Sequence, residues 1–269
     1  MNQNLIKQFT KEEVEATLKQ MHLTKSPSPN DMSAIFYKKY WDIVGNDVAC
    51  MVLNVLSSKM SMAEINKKNI TFVSKTNNPA KITEFRPISL SNVIYKLISK
   101  VLANRLKLIL PQIIIENHST FLYGRLITDN VLITFELMHY LDHKRDGKDC
   151  YMEIKLDMSK AYDRVEWGFI EQVMKKLGLH EKWISLIMRC ITTVSYSVLI
   201  NGVAHGNIMP SKGLCQGDPL SSYLFLLCAD GFSSLINKAV RNQTMSELSI
   251  HRGYPMLTHL FFANDSLLF

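Results

Sequence analysis

Apolar positions along this 269-residue chain switch repeatedly between the three-to-four spacing of helices and the alternation of strands. Thr10-Lys11-Glu12-Glu13 has the form of a capping box, and Val14, Leu18 and Met21 follow it at helical intervals. Ser26-Pro27-Ser28-Pro29-Asn30-Asp31 reads as a loop. A second helix is predicted from Ala34, carrying Phe36, Tyr40 and Trp41, and a third from about Asp47, carrying Val48, Met51, Val52 and Val55. Ile70 to Val73 is short and β-branched, a strand; Pro79 to Arg86 is turn-like. From Asn92 the spacing of Ile94, Leu97, Ile98, Val101, Leu102, Arg105 and Leu108 predicts a helix stopped by Pro111. Val131 to Leu141 predicts another.

After the charged turn Lys144 to Asp149, Tyr151 to Asp157 alternates as a strand, with Met152, Ile154 and Leu156 on one face. A helix with Val165, Phe169, Val173 and Leu177 in line then ends at Gly178. Ser195 to Asn201 and a stretch near Ile208 read as strands around the Asn201-Gly202 turn. Pro219 to Leu235 predicts a buried helix, and Leu257 to Phe269 a hairpin. Strands interleave with helices, which makes the class α+β. No internal repeat and no linker interrupts the pattern.

Composition narrows the partners. With 47% hydrophobic residues the chain can bury one large or two modest cores. A formal charge of +7 is consistent with a polyanionic partner. The five cysteines are scattered and form no CxxC pair, which argues against a disulfide framework and a zinc site and fits a reducing compartment. The amino terminus has no apolar core of signal-peptide length, and no run of about 18 apolar residues exists. The expected location is intracellular, in nucleus or cytoplasm, without a membrane.

Four segments carry candidate chemistry. Phosphoryl transfer needs hard oxygen ligands for divalent metal. Asp157 ends an apolar strand, where a sheet can aim it, and Phe262-Ala263-Asn264-Asp265 lies between two apolar strands, in a predicted tight turn. Either segment alone is also ordinary turn chemistry. Lys212 to Ser221 contains Gln216-Gly217-Asp218-Pro219, a loop whose backbone could approach a base or nucleotide closely, or simply a helix approach. Arg86 and Lys96 could grip a triphosphate or be surface charges. Tyr162, five residues beyond Asp157, could close against a sugar and exclude a 2′-hydroxyl, or be a core aromatic. The histidines form no metal motif, and Asp163 and Glu166 read as helix-start charges.

In order, these segments resemble the reverse transcriptase of LINE-type, non-long-terminal-repeat retrotransposons, especially the plant lineage. The resemblance is carried by Phe36 to Trp41 with Ile43-Val44-Gly45, by Phe85 to Asn92 with Tyr95-Lys96, and by Leu102 to Leu106. It continues through Gly124 to Asn130, Leu156-Asp157 to Asp163, Gln216 to Ser221 and the terminal hairpin. It implies a right-hand polymerase. Residues 1–80 would be a helical extension and the start of the fingers, 81–145 the fingers, and 146–269 a palm truncated after the catalytic hairpin, with no thumb.

The resemblance implies a role for each site residue. Asp157 and Asp265 would be catalytic metal ligands for two Mg2+ ions, with Asn264 at the substituted position of the hairpin pair. Arg86 and Lys96 would hold the triphosphate, Tyr162 would discriminate the sugar, and Gln216 and Gly217 would border nucleotide and template. The implied partners are an RNA template, a DNA primer and deoxynucleotide triphosphates. Three departures stand out: Asn264 replaces an aspartate, Ser28-Pro29-Asn30-Asp31 replaces a Gly-Pro-Asp-Gly turn, and Cys215 replaces an arginine. The expectation is therefore an RNA-directed DNA polymerase domain impaired by Asn264 and a missing thumb, with no measurable polymerase activity. The alternative is a non-catalytic remnant or an RNA-binding scaffold.

Overall fold

Thr10 begins the first well-formed helix as its pattern predicts. Its hydroxyl accepts from the Glu13 amide at 3.3 Å, while Glu12 and Glu13 sit at the positive end of the helix dipole. In this computed structural model the described residues are 1–22, 32–114, 124–144, 152–158, 160–248, 256–262 and 265–269. The predicted loop at Ser26–Asp31 and most of the charged turn after Lys144 lie outside them.

The helices are α1 (Asn2–Ile6), α2 (Lys11–Gln20), α3 (Ala34–Lys39), α4 (Trp41–Leu56), α5 (Val93–Ile113), α6 (Ile127–His143), α7 (Ala161–Arg164), α8 (Trp167–Lys176), α9 (Glu181–Thr192) and α10 (Ser221–Arg241). The strands are β1 (Lys67–Ser74), β2 (Phe85–Ser91), β3 (Ile154–Asp157), β4 (Ser195–Ile200), β5 (Val203–Ile208), β6 (His259–Phe262) and β7 (Asp265–Leu268). The mixed α+β class is as expected. The chain divides into two compact units, each drawn from two stretches: Met1–Leu108 with Tyr162–Ser222, and Ile109–Ala161 with Tyr223–Phe269.

The first unit holds a four-stranded sheet in the order β2-β1-β4-β5. β1 runs antiparallel to β2 and parallel to β4, and β4 turns back into β5 through Asn201 and Gly202, both at positive φ. The core is built on α5 and α9. Val93 to Leu106 of α5 is buried on nearly every side, and α9 buries Trp183, Ile184, Leu186, Ile187, Cys190 and Ile191. Arg105, on α5, fastens the amino-terminal segment. Its guanidinium donates to Glu13 twice at 2.7 Å and to the carbonyls of Leu5, Lys7 and Gln8, and stacks on Phe9.

Several boundaries differ from the sequence expectation. The second and third predicted helices meet at Tyr40 rather than near Asp47, because Tyr40 alone leaves helical geometry. The turn expected over Pro79 to Arg86 gives way at Phe85 to strand β2; Pro87 is tolerated because β2 is an edge strand. Pro111 does not stop α5, which continues to Ile113. The buried face of α8 is Ile170 and Met174, and Phe169 points outward at 43% exposure. Helix α9 was not anticipated.

The second unit holds an antiparallel sheet in the order β3-β7-β6. One face carries Leu260 and Leu267, which pack with Leu137 of α6, Leu248 and Phe269. The other carries Phe261 and Leu268, packed with Ala229, Phe232 and Ile236 of α10. The sheet is thus covered on both faces, and its β6–β7 end carries the residues of interest. Asn130 of α6 donates to the Phe261 carbonyl at 3.3 Å, tying that helix to β6. No helix among the described residues is long and apolar enough to cross a membrane.

Candidate metal and nucleotide sites

Asp157 is the last residue of β3 and Asp265 the first of β7, and the two stand directly opposite in the antiparallel register. Asp265 therefore lies in the strand itself, not in the turn where its sequence neighbours suggested. Opposed residues share a sheet face, with Cβ atoms about 4.5–5.5 Å apart. The 108-residue separation along the chain closes to one rung of a ladder. Neighbouring rungs place Leu156 opposite Ser266, whose side chain is fully buried, so the alternation that buries Ser266 turns both carboxylates to the other face.

The Asp157 side chain is exposed, and that of Asp265 is half-exposed. Lys155, two residues before Asp157 on the same face, approaches Asp265 at 3.8 Å. Two carboxylates directly opposite repel, and one exposed lysine offsets only part of that. The donor set, two hard anionic oxygen groups within reach of one point, fits Mg2+ chemistry. No cluster of three metal-ligating side chains is present among the described residues. Asn264 lies outside the described residues.

Arg86, Lys96, Tyr162, Gln216 and Gly217 all belong to the first unit. Arg86 is not in a turn: it is an exposed residue of β2, paired in register with Val73. Lys96 is half-buried in the first turn of α5, which begins where Asn92 Oδ1 accepts from the Ile94 amide at 2.9 Å. Tyr162 is half-buried on α7. Burial raises its pKa, opposed by a hydrogen bond with Ser222. Its carbonyl accepts from the Leu214 amide at 2.8 Å, and Val165 accepts from Gly213 at 2.8 Å. Trp167 Nε1 donates to the Gly213 carbonyl at 2.7 Å. The irregular segment leading to Gln216 is thereby sewn to the segment that carries Tyr162. Gly213 has φ +94°, and an added Cβ would lie 3.1 Å from the Asp163 carbonyl, so only glycine passes there. Lys212 and Glu166 close the same seam with an exposed ion pair at 3.1 Å.

Gln216 and Gly217 form the exposed apex of a four-residue turn closed by the Asp218 amide donating to the Cys215 carbonyl at 3.2 Å. Gly217, at φ +88°, supplies the left-handed conformation this turn needs. Beneath it lies a buried polar cluster that sequence reading missed. Lys68 Nζ pairs with Asp218 Oδ2 at 3.3 Å, the side chains being 1% and 3% exposed. Asp218 Oδ1 accepts from the Ser99 hydroxyl and from the Leu220 amide. The Tyr95 ring lies 4.2 Å from the Lys68 ammonium, and its hydroxyl donates to the Cys190 carbonyl. Burial draws the Lys68 pKa down, but the charge of Asp218 and the Cys215 sulfur outweigh it and leave it above the ordinary value. Burial also pushes the Tyr95 hydroxyl and the Cys190 thiol up, with the Asp218 charge adding to both. A cavity roughly one water in size lies among Lys68, Tyr95, Tyr196, Cys215 and Asp218.

Comparison with known proteins assigns the class. A family profile described as reverse transcriptase (RNA-dependent DNA polymerase) matches residues 65–269. The chain belongs to the reverse transcriptase family, as a reverse transcriptase domain of the non-long-terminal-repeat retrotransposon kind. An uncharacterized 149 kDa protein of the Xenopus laevis transposon TX1 is 25% identical over 239 residues, covering 89% of this chain and 18% of that protein. The Pol polyprotein of the Drosophila melanogaster type-2 retrotransposable element R2DM is 27% identical over 203 residues, covering 74% of this chain and 18% of its own length. An uncharacterized mitochondrial protein of Arabidopsis thaliana is 41% identical over 68 residues, a quarter of this chain and 56% of that protein. The chain spans less than a fifth of the transposon TX1 and R2DM proteins it matches.

Proposed function

We propose that this domain is built for Mg2+-dependent, RNA-directed DNA synthesis, with Asp157 and Asp265 as the metal-holding pair. The observation that carries the reading is their position on opposite sides of one antiparallel rung. Magnesium, when bound, supplies charge stabilisation for the phosphoryl group and lowers the pKa of the attacking hydroxyl. The chain's own residues then position and exclude. Arg86 and Lys96 bring positive charge to the triphosphate, the Tyr162 ring stands against the sugar, and the Gln216–Gly217 apex meets template and nucleotide. The fingers and palm are the corresponding subdomains, the RNA template and DNA primer the partners, and the plant retrotransposon lineage the source. The 41% identity with the Arabidopsis segment supports that lineage.

The same reading holds the chemistry to be impaired. Asn264, the sequence neighbour of Asp265, has an amide oxygen but no charge to offer divalent cations. Losing one well-placed electrostatic contact in such a site costs on the order of 10²–10³ in rate. The test is primer extension on an RNA template with magnesium. No product above background is expected from the chain as it stands, while a DNA-primed RNA template should still bind with a steep salt dependence. Robust extension would refute the impairment, and absence of salt-dependent binding would refute the polymerase reading.

A further inference from the structure

We propose that Lys68 is a positioning residue: it locks the Cys215–Asp218 turn from beneath and so fixes the direction in which Gln216 is presented. The proposal rests on the reading of Gln216 as a nucleotide- or template-facing residue.

Lys68 is the only residue of β1 whose side chain is buried. It comes from a strand 150 residues away from the turn, and β1 is held in place by β2 on one side and β4 on the other. An ammonium has three donors and no acceptor. Here it meets Asp218 Oδ2 and the face of Tyr95, and shares a small cavity with Cys215. Asp218 and Cys215 are the opposite shoulders of one turn, whose remaining residues, Gln216 and Gly217, are exposed. The grip closes on the turn's base while leaving its apex free.

Stability does not account for the arrangement. A buried ion pair is commonly no more stabilising than a well-packed apolar pair of the same volume, because desolvation offsets the attraction. What the pair supplies is geometry. The Asp218 carboxylate is already held by Ser99 and the Leu220 amide, so the ammonium's added effect falls on the hydrogen bond between Asp218 and Cys215 that closes the turn. A flexible apex would leave the Gln216 amide sampling several directions, and each would have to be ordered when a ligand binds.

Residue-resolved amide exchange on the 269-residue chain tests this. In Lys68→Met the residue-218 amide, which closes the turn, should exchange about ten- to a hundred-fold faster, the range expected when a charge-assisted hydrogen bond is removed. Lys68→Met alone strands the Asp218 charge and lowers the melting temperature. Lys68→Met with Asp218→Asn removes both charges, so stability should recover while the residue-218 amide stays deprotected. The Leu220 amide, still held by the residue-218 side-chain oxygen, should keep its protection. In a binding cycle with a poly(rA)·oligo(dT) probe, Lys68→Met and Gln216→Ala should each weaken binding and should be non-additive, since one acts through the other. Unchanged exchange in Lys68→Met, protection that returns with stability in the double variant, or strictly additive binding losses would overturn the proposal. If Gln216→Ala binds like the parent, the assigned role of Gln216 fails, and the exchange result still decides whether Lys68 sets the turn.

Discussion

Replacing Asp157 by asparagine should move stability in opposite directions with and without magnesium. In the metal-free protein Asp157 and Asp265 face each other across one rung, with Lys155 at 3.8 Å from Asp265 as partial compensation. At a separation of about 5 Å and a water-like dielectric, the repulsion is about 0.8 kcal/mol. The Lys155 contact and salt reduce it further, to about 0.5 kcal/mol. Asp157→Asn removes one charge and keeps the shape. In EDTA the variant should therefore melt about 1–2 °C above the parent, taking the usual conversion for a domain of this size. In millimolar MgCl2 the parent should gain stability through metal linkage. The variant should gain little, because a single carboxylate remains. Thermal melts of both proteins in EDTA and across a magnesium series decide the point. A magnesium response in Asp157→Asn equal to that of the parent would show that the pair is not the metal site. A variant less stable than the parent in EDTA would show that the carboxylates are held by contacts other than mutual repulsion.

The remaining predictions concern other residues. His259 is fully buried between the Ser233 and Thr258 hydroxyls, and burial lowers its pKa to about 4 from an ordinary 6.5. The unfolded chain thus binds the extra proton first: stability is complete above pH 6.5 and falls by about 3 kcal/mol as pH drops to 4. Denaturant melts across that window should show the loss, and His259→Gln should flatten it; an unchanged slope would refute the assignment. Tyr162→Ala should bring ribonucleotide binding to within a few-fold of deoxyribonucleotide binding in a competition assay, and unaltered selectivity would return Tyr162 to a packing role. Charge reversal at Arg86 and Lys96 should weaken binding of a DNA-primed RNA template and lower the salt slope by about 1 for each phosphate no longer neutralised. Survival of both would mean that the basic excess serves solubility alone.

Local chemistry was the legible part of the fold. Thr10 as a cap and Asn201-Gly202 as a hairpin turn act within a few residues, so the chain announces them directly. The strand end at Asp157 was legible too, since an apolar run stopped by an acid is a short-range signal, whereas Asp265 read as part of the turn and begins β7. Their register was not legible, because it is set by the packing of Leu260, Leu267 and Phe261 against α6 and α10. Strand β2 was hidden by Arg86 and Pro87, which an edge strand tolerates. Helix α9 carried its signal openly: Trp183, Ile184, Ile187, Cys190 and Ile191 follow the helical period. Lys68 could not have been found. In Asn66-Lys67-Lys68-Asn69 a lysine reads as solvated, and only the arrival of Asp218 from far along the chain makes its burial tolerable.

Anomalous scattering from crystals soaked in manganese would test the central assignment most directly. The account predicts a manganese ion within about 2.5 Å of carboxylate oxygens from both Asp157 and Asp265, the distance expected for hard-cation ligation, and no such ion in Asp157→Asn. Manganese bound elsewhere, or held by Asp265 alone with Asp157 turned away, would contradict it.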